Sequence, residues 1–97
     1  MRLRFTLRAT QDLIAIADYI GARNAAAALR VRAAILDSVQ NLVLFPEVGR
    51  QQDVEGVRRL VTRKYRYLVY YTLDEAAEEI IIVTIQHAAR EREYEDT

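Results

Sequence analysis

Hydrophobic and polar residues alternate at the start of the chain and again through its last third. Residues 2–8 read RLRFTLR, which places leucine and phenylalanine on one side and arginine and threonine on the other. A period of two over this length predicts a short, half-buried strand. Further along, the runs YRYLVYYTL and EIIIVTI flank the acidic segment DEAAE and predict an antiparallel hairpin. Three strands are expected in this last third, at about residues 57–62, 64–73 and 79–87.

Between these strands the hydrophobic positions recur every three or four residues, which is typical of amphipathic helices. The first predicted helix spans residues from about Gln11 to Ala22, and Thr10 is its expected N-cap. The second spans residues 25–44 and has a broader apolar arc. Because the join between them is short, they are expected to form an antiparallel helical hairpin.

A break in the pattern follows the second helix. Pro46 disfavours a helical conformation at the residue before it. Residues 47–56 then contain two glycines, four charged residues and little apolar content. This segment is predicted to be a surface loop.

Together these elements predict an α+β fold. An N-terminal strand precedes an antiparallel two-helix hairpin, and a three-stranded antiparallel β-meander follows, with the helices on one face of the sheet. At 97 residues the chain is expected to form a single domain, 1–97, because a core of this size cannot be divided into two stable parts. Residues 90–97 are too polar to pack alone and are expected to form a final helical turn or a disordered tail.

The last predicted strand is apolar on both of its faces, because Ile81, Val83 and Ile85 alternate with Ile80 and Ile82. Two helices can cover only one face of a sheet in a chain of this length. The other face should leave apolar surface uncovered, and such a patch usually marks a protein partner.

Amino-acid composition indicates the cellular compartment of the protein and excludes some kinds of site. The absence of cysteine excludes a disulfide framework and a thiolate metal site, and it fits a reducing cytoplasm. No apolar run is long enough for a signal sequence or approaches the roughly 20 residues of a membrane span. A soluble, cytoplasmic protein that does not bind membranes is therefore expected.

Charge is unevenly distributed although the formal net charge is zero. Residues 50–66 carry six cations against two anions, whereas residues 74–97 carry eight acids against two arginines. A zero total therefore does not exclude an anionic partner at the basic end.

Three groups of residues could carry function. His87 could act as a general acid or base, or be a structural histidine at a strand end. A cluster of arginines could clamp phosphates or carboxylates, or form a solvated sheet edge or ion pairs with the acidic tail. The tyrosines between residues 65 and 71 could stack on bases, or simply be good strand formers. The arginines concerned are Arg58, Arg59, Arg63, Arg66 and Arg90.

No other chemistry is indicated. The sequence contains no glycine-rich phosphate loop, metal-ligand cluster or Ser-His-Asp set, so neither a cofactor nor a metal is expected.

The order of these features resembles the ParE branch of the RelE/ParE superfamily of type II toxins. A strand, a helical hairpin, the FPEVGR loop, an arginine, YRYLVYY, a hydrophobic strand and HAAR follow one another, and the similarity extends to Arg90. The resemblance implies a small toxin with a two-helix hairpin packed on an antiparallel sheet. It also implies a cognate antitoxin whose disordered tail wraps the toxin.

The superfamily divides by target. RelE-like members are similar to ribosome-dependent mRNA endoribonucleases, which use two lysines on one strand, an arginine on the next and a tyrosine in the tail. This chain has Arg58 and Leu60 at the two lysine positions and Tyr67 at the position of the arginine on the next strand. Tyr94 lies about two residues before the position of the tail tyrosine. Among the matched positions, only Arg90 has the residue type that RelE-like members have there. The chain therefore retains charge stabilisers but lacks the expected base for RNA cleavage.

These departures favour the ParE-like branch, whose members resemble inhibitors of DNA gyrase that act by protein contact. Under this hypothesis no catalytic residue is expected. Separately, the antitoxin is expected to place acids near Arg58, Arg59 and Arg66 and apolar side chains on the sheet face. The alternative is a ribosome-dependent mRNA endoribonuclease using His87, Arg90 and Arg58. A third hypothesis is a non-toxic binding module. The residues expected to bind the target or antitoxin are Arg58, Arg59, Arg63, Arg66, Tyr67 and Arg90.

Overall fold

The computed structural model describes residues 1–88, which form two helices and one five-stranded sheet. The predicted tail at residues 90–97 lies outside the described residues. In the part that the structure describes, no helix is both long enough and apolar enough to cross a membrane. In chain order the elements are β1 (Arg2–Phe5), α1 (Leu7–Gly21), α2 (Ala25–Leu44), β2 (Arg50–Gln51), β3 (Val57–Val61), β4 (Tyr67–Asp74) and β5 (Glu79–His87).

The sheet has the strand order β1-β5-β4-β3-β2, so the first strand lies beside the last. β1 runs parallel to β5, and all other neighbours are antiparallel. The predicted α+β fold and the β-meander of β3, β4 and β5 are confirmed. The predicted loop at residues 47–56 is wrong in one respect, because Arg50 and Gln51 form β2 against β3. A strand of two residues is too short to show a period in its sequence.

The first helix begins earlier than its hydrophobic pattern predicts. β1 ends at Phe5, and Thr6 is the N-cap in place of Thr10. The Thr6 hydroxyl accepts from the Ala9 N–H at 3.0 Å and donates to the Val83 carbonyl at 2.8 Å. This side chain therefore ends the strand, begins the helix and ties both to β5.

The second helix is confirmed with its predicted bounds. Its Asn24 N-cap accepts from the Ala27 N–H at 3.0 Å, and the alanines that follow are strong helix formers.

The hydrophobic core lies between the helices and one face of the sheet, called the helix face below. Its buried members from the helices are Ala9, Val31, Ile35, Val39 and Leu42. Its buried members from the sheet are Tyr67, Val69, Tyr71, Ile80, Ile82 and Ile85. The opposite sheet face, called the outer face, carries apolar side chains that stay accessible to solvent: Val61 is 46% exposed, and Val57 and Ile81 are half-buried.

Candidate functional site

Four cations of the predicted cluster lie on one hairpin, which is made of β3, the turn at residues 63–66 and β4 and is called the basic hairpin below. Neighbouring residues of a strand point to opposite faces of a sheet. Arg58 accordingly lies on the helix face and Arg59 on the outer face. Arg63 and Arg66 are exposed in the turn. The structure therefore divides the predicted cluster among three places, and Arg90 lies outside the described residues.

The Arg58 side chain holds the loop that follows α2. Its Nη1 donates to the carbonyl oxygens of Glu47 at 3.0 Å and of Gly49 at 2.9 Å. The side chain is half-buried by this arrangement. Arg58 thus has a structural role, and a partner could be bound only through its remaining donors.

The Tyr71 hydroxyl completes the attachment of the same loop. It donates to the Pro46 carbonyl at 2.8 Å and accepts from the Gly49 N–H at 2.9 Å. Burial raises the pKa of Tyr71, while the hydrogen bond from Gly49 and the charge of Arg58 oppose part of this rise. The hydroxyl therefore remains a donor at neutral pH.

The outer face carries a pair of arginines on adjacent strands. Arg59 of β3 lies directly opposite Arg50 of β2 and, on its other side, opposite Tyr70 of β4. Arg50 is exposed, and Arg59 and Tyr70 are half-buried. Two guanidinium groups on neighbouring strands give this part of the outer face a positive potential that suits carboxylates or phosphates.

The turn of the basic hairpin is held by hydrogen bonds, and its residues 63–66 are exposed. The buried Thr62 hydroxyl donates to the Lys64 carbonyl at 2.6 Å and accepts from the Tyr67 N–H at 3.0 Å. Tyr65 and Arg66 have φ angles of 66° and 51°, in the left-handed region that non-glycine residues rarely adopt. The predicted start of the second strand at residue 64 is therefore wrong, because residues 63–66 form a turn.

Tyr67 lies in the core instead of at the surface. Only 6% of it is exposed, and its ring packs edge-on against His87, with 5.1 Å between centroids and 81° between planes. Burial raises the pKa of Tyr67. Its part in binding a partner would be indirect, through the position of the exposed His87 ring.

Two residues of the ribonuclease hypothesis, His87 and Arg58, lie in the part of the chain that the structure describes, and they are not gathered at one place. His87 lies opposite Tyr67 of β4, whereas Arg58 lies opposite Tyr71, four residues further along that strand. This separation corresponds to about 13 Å along the strand. Among residues 1–88, no three His, Asp or Glu side chains come together as a metal site.

Asp12 of α1 anchors the edge of β5, and no pattern in the sequence indicates this role. The Asp12 carboxylate accepts from the Thr84 hydroxyl at 2.6 Å and from the Ile85 N–H at 3.0 Å. β1 pairs with β5 only as far as Ile82, so Asp12 continues the edge of β5 beyond the end of β1. An aspartate within an amphipathic helix usually faces solvent, so the helical pattern alone does not predict this contact.

The chain is similar to known proteins along almost its whole length. A family model described as the ParE toxin of the type II toxin–antitoxin system parDE matches residues 3–92. Toxin RelE2 of Caulobacter vibrioides is 37% identical over 86 residues, which cover 89% of this chain and 93% of that protein. Protein Y4kP of Sinorhizobium fredii is 36% identical over 87 residues, which cover 90% of this chain and 88% of that protein.

Solved structures show the same fold. The chromosomal ParDE toxin–antitoxin system from P. aeruginosa has a TM-score of 0.78 and 29% identity, covering 90% of this chain and 95% of that one. A chain of the intact E. coli RelBE toxin–antitoxin complex has a TM-score of 0.68 with the same coverages, and at 12% identity it shows the fold alone. Since the family model spans nearly all of the residues described above, this protein belongs to the ParE toxin family of type II toxin–antitoxin systems.

Proposed function

We propose that this toxin inhibits DNA gyrase by direct protein contact and that a cognate antitoxin neutralises it. The observation that carries this proposal is the separation of His87 from Arg58, which leaves the described residues without an assembled set for RNA cleavage. The match to the ParE family model supports the same branch. The exposed tip of the basic hairpin offers a rigid, cationic surface for the target, with Arg63 and Arg66 at its end.

The antitoxin is proposed to bind the outer face of the sheet. The similar P. aeruginosa and E. coli structures are toxin–antitoxin systems. On this chain the outer face offers accessible apolar side chains at Val57, Val61 and Ile81 beside the Arg50 and Arg59 pair. An antitoxin segment that alternates apolar and acidic residues would match both features.

The test is a gyrase supercoiling assay with purified protein. Wild-type toxin is expected to block supercoiling or to trap cleaved DNA, and adding the antitoxin should restore activity. Arg66→Glu reverses a charge at the exposed tip and should weaken inhibition at least about tenfold, because like charges then oppose the contact. Arg8→Glu, at an exposed position of α1, is the matched control and should inhibit like wild type. Unimpaired gyrase at a large molar excess of toxin would overturn the proposal.

The second candidate is a ribosome-dependent mRNA endoribonuclease. Its supporting observation is the exposed His87 ring at the end of β5. It requires ribosome-associated mRNA cleavage in cells that disappears in His87→Ala. Toxicity that survives this substitution with mRNA intact would exclude it.

A further inference from the structure

A groove lies between the exposed side of α2 and the tip of the basic hairpin, away from the outer face. Its volume is about 610 Å³. One wall is α2, from Arg30 to Asn41, and the other is the turn, at residues 63–65. Nothing in the proposed gyrase contact or antitoxin contact uses the α2 side of this groove.

The shape of the groove suits a polypeptide in extended conformation. Ala33 and Ala34 lie in the middle of its α2 wall, and these small side chains allow close approach of another backbone. The eleven steps from Arg30 to Asn41 correspond to a rise of about 16 Å along the helix. That length matches about five residues of extended chain at roughly 3.3 Å each.

The charges of the groove favour an anionic ligand. Arg30 lies on the helix wall, and Arg63 and Lys64 lie on the turn wall, so cations are present on both sides. Among residues 1–88, Asp37 is the one carboxylate that lines the groove. The excess of positive charge is therefore two, which selects for acidic groups.

The same lining distinguishes a peptide from a nucleic acid. A phosphodiester backbone presents acceptors only, and it would place negative charge beside Asp37. A peptide carries both kinds of group, because its carboxylates can pair with the cations while its N–H groups donate to the carboxylate of Asp37 or the amide oxygen of Asn41. The mixed lining thus fits an acidic peptide better than a phosphate chain.

The turn wall is held in place before any ligand binds. The two hydrogen bonds of the Thr62 hydroxyl and the bond from the Ala88 N–H to the Arg66 carbonyl, at 3.1 Å, fix both ends of the turn. Tyr65, 44% exposed, lines the groove from its left-handed position. A wall that is already ordered loses little entropy on binding.

We propose that this groove binds an extended acidic peptide segment of about five residues from a partner protein. Its carboxylates pair with Arg30, Arg63 and Lys64, and its N–H groups face Asp37. This is a docking surface separate from the outer face, and it does not depend on gyrase being the target.

The experiment is an NMR titration of the ¹⁵N-labelled full chain with the acetylated peptide Glu-Glu-Leu-Glu-Glu. Saturable shift changes are expected at the amides of residues 30–41 and 63–65. Reversing charge in the double variant Arg30→Glu/Lys64→Glu should raise the Kd at least about tenfold. Arg32→Glu is the matched control, because Arg32 is exposed on α2 but does not line the groove, and it should change the Kd by less than about twofold.

Two further probes make the outcome decisive. The peptide Gln-Gln-Leu-Gln-Gln should bind much more weakly, and equal binding would overturn the proposal. Pentathymidylate that binds the same residues more tightly than the acidic peptide would also overturn it, in favour of a nucleic-acid site. Circular dichroism checks that the variants fold, and Arg30→Gln and Lys64→Gln replace the charge reversals if they do not. Shifts scattered over all basic residues would count against a defined site.

Discussion

The loop after α2 is held by contacts that leave no room for a side chain at Gly49. A Cβ atom built there would lie 2.5 Å from the Tyr71 hydroxyl oxygen and 2.6 Å from the ring carbon Cε1. Both atoms belong to a fully buried ring whose hydroxyl bonds the same loop, so they cannot move away cheaply. The glycine of the FPEVGR segment is therefore required by close approach to Tyr71.

Gly49→Ala and Gly21→Ala are expected to change stability in opposite directions. At Gly21, in the last turn of α1, the nearest atom to an added Cβ is the Ala28 Cβ at 3.7 Å, an ordinary contact. Gly21→Ala should therefore raise the free energy of unfolding by about 0.5–1 kcal/mol. Gly49→Ala should lower it by about 1–3 kcal/mol through overpacking. Urea unfolding measures both free energies. An unchanged free energy of unfolding in Gly49→Ala would show that the loop moves to make room for the methyl group.

The raised pKa of Tyr71 predicts a loss of stability at alkaline pH. Its folded pKa lies above the ordinary value of 10.0, so the folded state holds the proton more tightly than the unfolded state does. This contribution is fully present below pH 10.0 and is lost as the pH rises through the folded value. The unfolding free energy of Tyr71→Phe should fall less between about pH 9 and about pH 11 than that of wild type.

A second buried tyrosine affects the same pH range. Tyr67, whose pKa is also raised by burial, should leave part of the slope in Tyr71→Phe. An identical slope in wild type and Tyr71→Phe would contradict the assignment.

At the scale of elements, the turn of the basic hairpin shows why the hydrophobic pattern does not predict some strand boundaries. Basic residues and tyrosine alternate through residues 64–67, so the sequence predicts that the strand continues backwards from Tyr67. The Thr62 hydroxyl instead takes the Tyr67 N–H and closes a loop over residues 63–66. A side-chain bond of this kind depends on a particular turn geometry, which a period of two cannot reveal.

Glycine substitutions within this turn test whether its backbone is strained. Tyr65→Gly removes a side chain from a left-handed position and should raise the free energy of unfolding by up to about 1 kcal/mol. Lys64 lies in the same turn without a positive φ, and Lys64→Gly should lower it by about 0.5–1 kcal/mol. Thermal unfolding followed by circular dichroism compares the two. The interpretation fails if Tyr65→Gly is the less stable variant.

The two helices show which features the hydrophobic pattern predicts and which it does not. Their existence and their antiparallel arrangement follow from the spacing of hydrophobic residues, and α2 keeps its predicted bounds. α1 begins at Leu7, earlier than the predicted start at about Gln11, because the cap at Thr6 also bonds Val83. Contacts to a strand that is distant in sequence decided that boundary.

At the scale of the whole molecule, the sequence predicted both helices and every strand except β2, and it predicted that the helices pack on one face of the sheet. It could not predict that β1 lies beside β5, because pairing between distant strands leaves no local pattern. The candidate site differs from its prediction for a more local reason. Arg58 and Arg59 were expected to act together, but they are neighbours in β3, and neighbouring residues of a strand point to opposite faces of the sheet. The groove joins Arg30 to Lys64, which are too far apart in sequence to suggest a common site.

The position of β1 also has a consequence for the timing of folding during synthesis. Phe5 pairs with Ile82, and Thr6 bonds Val83 across 77 residues of chain. The edge of the sheet therefore cannot close until β5 has left the ribosome. Contacts of such long range slow folding, since the loop between them must be closed first. An emerging toxin chain thus remains incompletely folded until β5 is available, which gives an antitoxin that is already present time to reach it.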